Sequence, residues 1–433
     1  MECDLIISGS MLLASARHEP IRDGACAVIG DEIEAVGTRP ELLARYRPKR
    51  QIHRPSGLVM PGLINTHTHS PMVLFRGLAD DLPLKVWLEE HIFPREAGLT
   101  PELIRLATRL ACAEMIRSGT TSFVDMYFFE DVMAETASEI GLRGWYGEGL
   151  FDFPSPAYED GFAALDATRR YHERFSSDPL VTIVVAPHTP YTCSTELLEA
   201  AAQCAADLEA RLIIHVSETA WEVEETMRSH QRSPVGYLDA IGLLNDKVLA
   251  VHGVHLSQED IEILHARGTS LSHCPESNLK LGSGICPTWA LLERGVNVCL
   301  GTDGAASNNN LDMFGEMDFA AKLPKGVKED SSIITARQVL DMATVNGAEA
   351  LGRPDLGRIE AGCKADLVIL DLDRPGLTPC YNPVSHIVYA ATGGDVSDVV
   401  VAGRVLMERG ELTTIDEEEL MEQVRTALSR WQL

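Results

Sequence analysis

Between residue 58 and about residue 303, short apolar runs alternate with longer stretches in which apolar residues recur at helical spacing. The runs occupy 58–66, 120–126, 142–150, 181–188, 211–218, 248–255, 269–274 and 296–303. Near-continuous apolar runs separated by amphipathic segments predict parallel strands covered by helices, and eight of them predict an α/β fold with a closed (β/α)8 TIM barrel. Residues 101–118 show the helical half of the pattern, with Thr100 as N-cap, Pro101 in the first turn and Gly119 as the stop. Outside the barrel the period changes. Residues 4–8, 25–29 and 32–36 read as short strands with a Gly30-Asp31 turn, and 365–371 and 396–407 read alike. Short strands at both chain ends need a partner to bury a face, so they predict one small β-sandwich built from the two termini. The expected organisation is 1–57 as the first part of the sandwich, 58–357 as the catalytic barrel, and 358–433 as the rest of the sandwich plus a terminal helix. Further helices are expected at 334–351 and 417–431.

Composition narrows the function classes. The chain has 433 residues, 45% of them hydrophobic, enough for a large core. Its 37 Lys and Arg against 64 Asp and Glu leave a formal charge of -27, which repels phosphate backbones and anionic membrane surfaces. Nucleic acid and membrane are therefore excluded as expected partners. No long run of like charge occurs, so the acids read as a solvated surface. The ten cysteines contain no Cys-x-x-Cys pair, and acids at Glu2 and Asp4 stand where a secretory leader needs a basic region. Reduced thiols and a cytoplasmic location are expected. A homo-oligomer is compatible with such a barrel, but nothing in the sequence fixes its symmetry.

Candidate chemistry lies at the ends of the apolar runs. In a barrel of this kind, reactive groups converge at the C-terminal ends of strands. His67 and His69 are two residues apart on an extended segment, so both side chains point to one face. A His-x-His pair alone says little, but His215 closes the fifth run and Asp303 closes the eighth. Three histidines and a carboxylate form a ligand set for one divalent ion; zinc suits it first, and iron, nickel or cobalt accept the same donors. Barrels that bridge two metals commonly use a modified lysine at the end of the fourth strand, whereas this run ends in His188. One ion is therefore expected. Asp303 can coordinate through one oxygen and accept a water's proton through the other, while His252, ending the sixth run, can hydrogen-bond the resulting hydroxide. His255 reads instead as a polar residue of the barrel rim. Glu218, three residues after His215, is suitably placed to protonate a ring nitrogen of the substrate and pass a proton to a departing group. A lone glutamate is usually a surface residue, but one so close to a candidate ligand has chemistry to serve.

Five segments carry a family resemblance: Pro61-Gly-Leu-Ile-Asn-Thr-His-Thr-His69, Phe75-Arg-Gly-Leu-Ala-Asp-Asp-Leu-Pro-Leu84, Ser118-Gly-Thr-Thr-Ser-Phe-Val-Asp-Met-Tyr127, His273-Cys-Pro-Glu-Ser-Asn-Leu-Lys-Leu281 and Gly301-Thr-Asp-Gly-Ala-Ala-Ser-Asn308. Spread almost end to end, they resemble the amidohydrolase superfamily and, within it, the 5'-methylthioadenosine/S-adenosylhomocysteine deaminases. The first and last indicate only the superfamily; the segment from Phe75 to Leu84 is more specific. The resemblance implies His67, His69, His215 and Asp303 as ligands of one metal, with Asp303 also touching substrate. It further implies that Glu218 handles the purine ring proton and that Glu96 and His188 bind the ribose hydroxyls. Residue types alone would make Glu96 a helix-start carboxylate before Leu99-Thr100. The expected reaction is hydrolytic deamination of an adenosine-type nucleoside: hydroxide attacks C6 while Glu218 protonates N1, and the tetrahedral centre collapses with loss of ammonia.

One departure bears on specificity. Members that accept S-adenosylhomocysteine are expected to carry arginines after the third strand, where this chain has Glu148 and then Phe151-Asp-Phe-Pro-Ser-Pro156. A glutamate there predicts repulsion of the amino-acid carboxylate and a preference for 5'-methylthioadenosine or adenosine. The rival readings are an s-triazine hydrolase, a chlorohydrolase or a guanine deaminase, which share the same motifs, and more remotely a non-catalytic barrel scaffold. A cytidine-deaminase type of zinc site is excluded by the absence of its His-x-Glu and Pro-Cys-x-x-Cys pattern.

Overall fold

The computed structural model describes residues 1–82 and 86–431. Among them, the chain ends form one continuous nine-stranded mixed sheet. Its N-terminal strands are β1 (Glu2–Leu12), β2 (Ile21–Arg22), β3 (Gly24–Ile29), β4 (Glu32–Thr38) and β5 (Arg47–Pro61). The C-terminal strands β15 (Leu367–Asp371), β16 (Val396–Val401), β17 (Arg404–Glu408) and β18 (Glu411–Leu412) join them where β15 pairs antiparallel with β5. Alternation along β1 explains why both ends are needed: Leu5 and Ile7 pack with Val59, Leu367 and Val400 on one face, while Ile6 packs with Ala27 and Leu42 on the other. The run 396–407 is a hairpin rather than one strand, turned at Ala402 and Gly403, both with positive φ.

Within the barrel the parallel strands are β6 (Leu63–Thr68), β7 (Thr120–Tyr127), β8 (Arg143–Leu150), a fourth broken into β9 (Val181–Ile183) and β10 (Ala186–Pro187), then β11 (Leu212–Val216), β12 (Val248–His252), β13 (Ser270–His273) and β14 (Val298–Leu300). Parallel pairing runs from β6 to β10, through a single bridge from Val185 to Leu212, and on from β11 to β14. The seam from β14 back to β6 is not a regular ladder. Thr66 Oγ1 donates to the Leu300 carbonyl at 2.8 Å, Thr302 N to Asn65 Oδ1 at 3.0 Å and Asp303 N to the His67 carbonyl at 3.0 Å. Two candidate ligand residues are thus tied directly to each other's strands.

The run read as 58–66 is divided at Gly62, with residues before it in the terminal sheet and those after it in the barrel. A Cβ at Gly62 would lie 2.1 Å from Thr121 Oγ1, so the chain can pass from one sheet to the other only at a glycine. The first barrel helix, Pro101–Arg117, has the expected cap: Thr100 Oγ1 accepts from Leu103 N, and Gly119 leaves the helix at φ +82. The helix read as 334–351 is two, Ala336–Met342 and Val345–Ala350, because the Ala343 carbonyl accepts from Ile64 N of β6 at 2.9 Å. The terminal helix Glu417–Trp431 forms as expected. Among the described residues, no helix is long and apolar enough to cross a membrane.

Candidate metal centre and substrate pocket

His67, His69, His215, His252 and Asp303 converge at the C-terminal mouth of the barrel. The candidate ligand atoms of His67, His69 and Asp303 lie within 4.8 Å of one another, as do those of His67, His215 and His252. His67 is fully buried and belongs to both groups. Its Nε2 lies 3.1 Å from His215 Nε2 and 3.5 Å from Asp303 Oδ1, and His69 Nε2 lies 3.2 Å from the same oxygen. The backbone at His252 (φ +74) and Asp303 (φ +61) is left-handed, as it is at Ser217 (φ +54) after β11. Non-glycine residues adopt this region at a cost, and here it turns three strand ends inward over the barrel axis.

Hydrogen bonds orient the imidazoles. His69 Nδ1 donates to the Met126 carbonyl at 2.5 Å, and His215 Nδ1 donates to the His188 carbonyl at 2.8 Å. His252 Nδ1 meets Asn278 Oδ1 at 2.9 Å. Each bond assigns the proton to Nδ1 and directs the Nε2 lone pair at the centre of the cluster, the arrangement of a metal-binding histidine. Asp303 Oδ2 accepts from Ser277 Oγ at 2.6 Å and Ser307 Oγ at 2.9 Å. Those two hydroxyls fill its lone-pair positions, so Oδ1 alone faces the histidines; the second oxygen, read as a proton acceptor, is taken.

Electrostatics test whether a cation fits. Burial holds His67 down to about 4, and burial with neighbouring imidazoles holds His188 to about 3 and His215 well below its ordinary value. Burial also opposes charging His69, but the Asp303 carboxylate outweighs it and raises His69 to about 9. Burial likewise works against the Asp303 charge, and its bonds to His67 and His69 overcome that, holding it well below the usual carboxylate range. The cluster therefore offers neutral imidazoles at His67 and His215 and one ionised carboxylate, whose charge is met by His69 and would equally be met by a cation close by. His67 Nε2 and His215 Nε2 face each other at 3.1 Å, a distance that calls for a proton or a cation shared by the two. This donor set fits a divalent transition metal.

The remaining candidates line one cavity with the cluster. Glu218 lies beyond β11, its Oε2 3.9 Å from His252 Nε2 and its Oε1 3.5 Å from Ser283 Oγ; burial raises its pKa. Glu96 and His188 line the same cavity. Glu96 is buried, accepts from the Tyr127 hydroxyl at 2.6 Å through Oε1, and is pushed up to about 7 by burial. His188 Nδ1 is bonded to Thr192 Oγ1 at 2.9 Å. His255 bonds the Ser283 carbonyl through Nε2 and keeps to the rim. In the segment from Phe75, Asp80 pairs with Lys280 at 2.7 Å and Arg76 with Glu114, tying the loop across the barrel mouth; Pro83 and Leu84 lie outside the described residues.

Glu148 is not where the sequence placed it. It points away from the cavity, buried beneath the helix Glu130–Ile140, and accepts from Phe129 N at 3.2 Å and Glu130 N at 3.0 Å. Burial pushes its pKa up to about 8. Strand alternation is the reason: Gly149 lines the cavity, so its neighbour on β8 faces the other way. The expected repulsion between Glu148 and a substrate carboxylate is therefore withdrawn. Sequence reasoning also missed Ser277, Asn278 and Ser307, which stood inside two of the quoted motifs but had no partner to assign them, and Tyr127, which closes β7.

Comparison with known proteins agrees with this architecture. A model of the amidohydrolase family matches residues 58–406. The 5-methylthioadenosine/S-adenosylhomocysteine deaminase of Syntrophobacter fumaroxidans is 49% identical over 422 residues, covering 97% of this chain and 96% of the relative. Among solved structures, an adenosine deaminase from Xanthomonas campestris with bound zinc is 40% identical with a TM-score of 0.97, covering 100% of this chain and 99% of the other. The zinc complex of atrazine chlorohydrolase from Arthrobacter aurescens is 25% identical with a TM-score of 0.91, covering 98% and 99%. With its barrel and histidine cluster inside the matched region, the chain belongs to the amidohydrolase family.

Proposed function

We propose that this chain hydrolytically deaminates an adenosine-type nucleoside, 5'-methylthioadenosine before the others, to the inosine analogue and ammonia. The observation that carries the reading is one cavity lined together by the histidine cluster, Glu218, Glu96 and His188. It holds groups suited to ring chemistry and to sugar recognition, and a relative named for this reaction stands at 49% identity against 25% for the chlorohydrolase. His67, His69, His215 and Asp303 would hold one divalent ion, and the donor set and the zinc in the Xanthomonas structure support zinc. When bound, the ion supplies a water whose pKa falls from about 15.7 toward 7. His252 Nε2 and Asp303 Oδ1 are the groups that would hydrogen-bond the attacking water. Glu218 would deliver its proton to N1 of the purine as oxygen adds to C6, take up the proton released by the attacking water and pass it to the amino group, which leaves as ammonia. Glu96, with Oε1 engaged by Tyr127, has Oε2 to accept from a ribose hydroxyl. A cytoplasmic location suits the ten unpaired thiols.

An ammonia-release panel with metal analysis tests this reading. Release is expected from 5'-methylthioadenosine and adenosine and not from guanine or s-triazines; no release from any purine nucleoside overturns it. The same panel reads the 5' side. Among the described residues lining the cavity there is no lysine or arginine, and Trp87, Phe93 and Phe151 make that wall aromatic. A thioether methyl suits such a wall, whereas a carboxylate loses hydration without gaining a partner. The expected kcat/KM for 5'-methylthioadenosine exceeds that for S-adenosylhomocysteine by about tenfold or more, equivalent to about 1.4 kcal/mol. Equal values would refute the preference.

Sugar recognition has its own test. Glu96→Ala and His188→Ala are expected to raise KM for nucleosides by about 10- to 100-fold while kcat changes by less than about threefold, since they remove binding made alike in ground and transition states. Unaltered KM in both variants would remove the ribose assignment and reopen the triazine reading.

A further inference from the structure

Glu218 is weakly held by its own side chain. Its contacts with Ser283 and His252, at 3.5 and 3.9 Å, are at or beyond the limit of a hydrogen bond. A carboxyl so loosely tethered is located by its main chain, and here that main chain is tied down by one residue. Glu222, buried to 1% exposure, accepts from Ser217 N through Oε1 at 2.8 Å and from Glu218 N through Oε2 at 2.7 Å.

The geometry is not that of an ordinary helix start. Glu222 is the third residue of the helix Ala220–His230, whose N-cap Thr219 accepts from Glu222 N at 3.1 Å. A glutamate in this place usually reaches back to the N-cap N–H. Glu222 instead reaches past Thr219 to the two preceding N–H groups, spanning the left-handed Ser217. The Ser217 carbonyl is meanwhile bonded by His255 N at 2.9 Å, which fixes the loop from the β12 side. Two main-chain hydrogen bonds to one buried carboxyl stabilise a strained turn whose product is the direction of Glu218.

We infer that Glu222 is a positioning residue for the reaction, holding the Glu218 main chain so that its carboxyl reaches the substrate ring. This rests on Glu218 as the proton carrier. Glu222→Gln keeps the shape but sets an NH2 group against one of the two N–H donors, so the turn loses one bond. Misplacement by about 1 Å can cost on the order of 100-fold in rate.

The test is a double-mutant cycle on the metal-loaded enzyme with 5'-methylthioadenosine. Glu222→Gln, and Glu222→Asp as a second variant that keeps the carboxyl but shortens the reach, are expected to lower kcat by about 10- to 100-fold. KM and metal content should stay near those of the parent. In the Glu218→Gln background the same changes should cost less than about twofold, because there is no proton carrier left to misplace. Equal losses in both backgrounds, or an unchanged kcat in the parent background, overturn the positioning role. High turnover by Glu218→Gln alone would instead remove the proton-carrier reading, so the two failures are distinguishable.

Discussion

Glu218→Gln is expected to retain its metal, its fold and its affinity for nucleoside while losing turnover by about 100- to 10,000-fold, the range for removal of a general acid-base group. Glutamine matches the size of glutamate but cannot deliver a proton. Two features make Glu218 suited to that task. Burial raises its pKa, so that it holds a proton closer to neutral pH than a solvent-exposed glutamate does. It also lacks a lysine or arginine partner among the described residues, which would otherwise hold it ionised. Metal content by elemental analysis, alongside kcat and KM for 5'-methylthioadenosine, checks the result. High turnover with full metal occupancy would exclude Glu218 from the chemistry, and loss of metal would make it a ligand instead.

The same rule that made the site legible also misled at one position. His67, His69, His215 and Asp303 could be found because each is a polar residue closing an apolar run, where barrel strands deliver their side chains. Glu148 also lies near a strand end, yet alternation turns it outward beneath a helix, and spacing alone could not say which face of β8 met the cavity. The groups that orient the cluster were less visible. Ser277 and Asn278 act on residues 26 positions away, a separation set by tertiary packing, and Ser307 acts on Asp303 through a local turn four residues long. In the fold, the barrel strands were legible from their continuous hydrophobicity. The first half of β5 was not: from Arg47 to Gly57 it carries two prolines and three arginines with Ile52 as its buried apolar residue, and it extends because β1 pairs with it. Pairing supplied what local propensity withheld.

Removal of the metal is expected to abolish deamination and to lower thermal stability together. With the ion gone, His67 Nε2 and His215 Nε2 confront each other at 3.1 Å in a buried place, and Asp303 can be neutralised only by a proton on a neighbouring imidazole. A ligand that binds only the folded state stabilises it by about 4 kcal/mol when free ligand stands 1,000-fold above its Kd, so the chelated protein should melt at a clearly lower temperature. Activity should fall below about 1% and return on adding one equivalent of zinc, since general acid-base groups alone account for only about 100- to 10,000-fold of such a reaction's acceleration. His215→Ala should resemble the chelated protein in both respects and resist restoration by zinc. The contrast with Glu218→Gln separates two roles that lie three residues apart: one substitution empties the site, the other leaves it filled and inert. Full metal occupancy in His215→Ala, or undiminished deamination after chelation, would show that the cluster does not hold the ion on which the reaction depends.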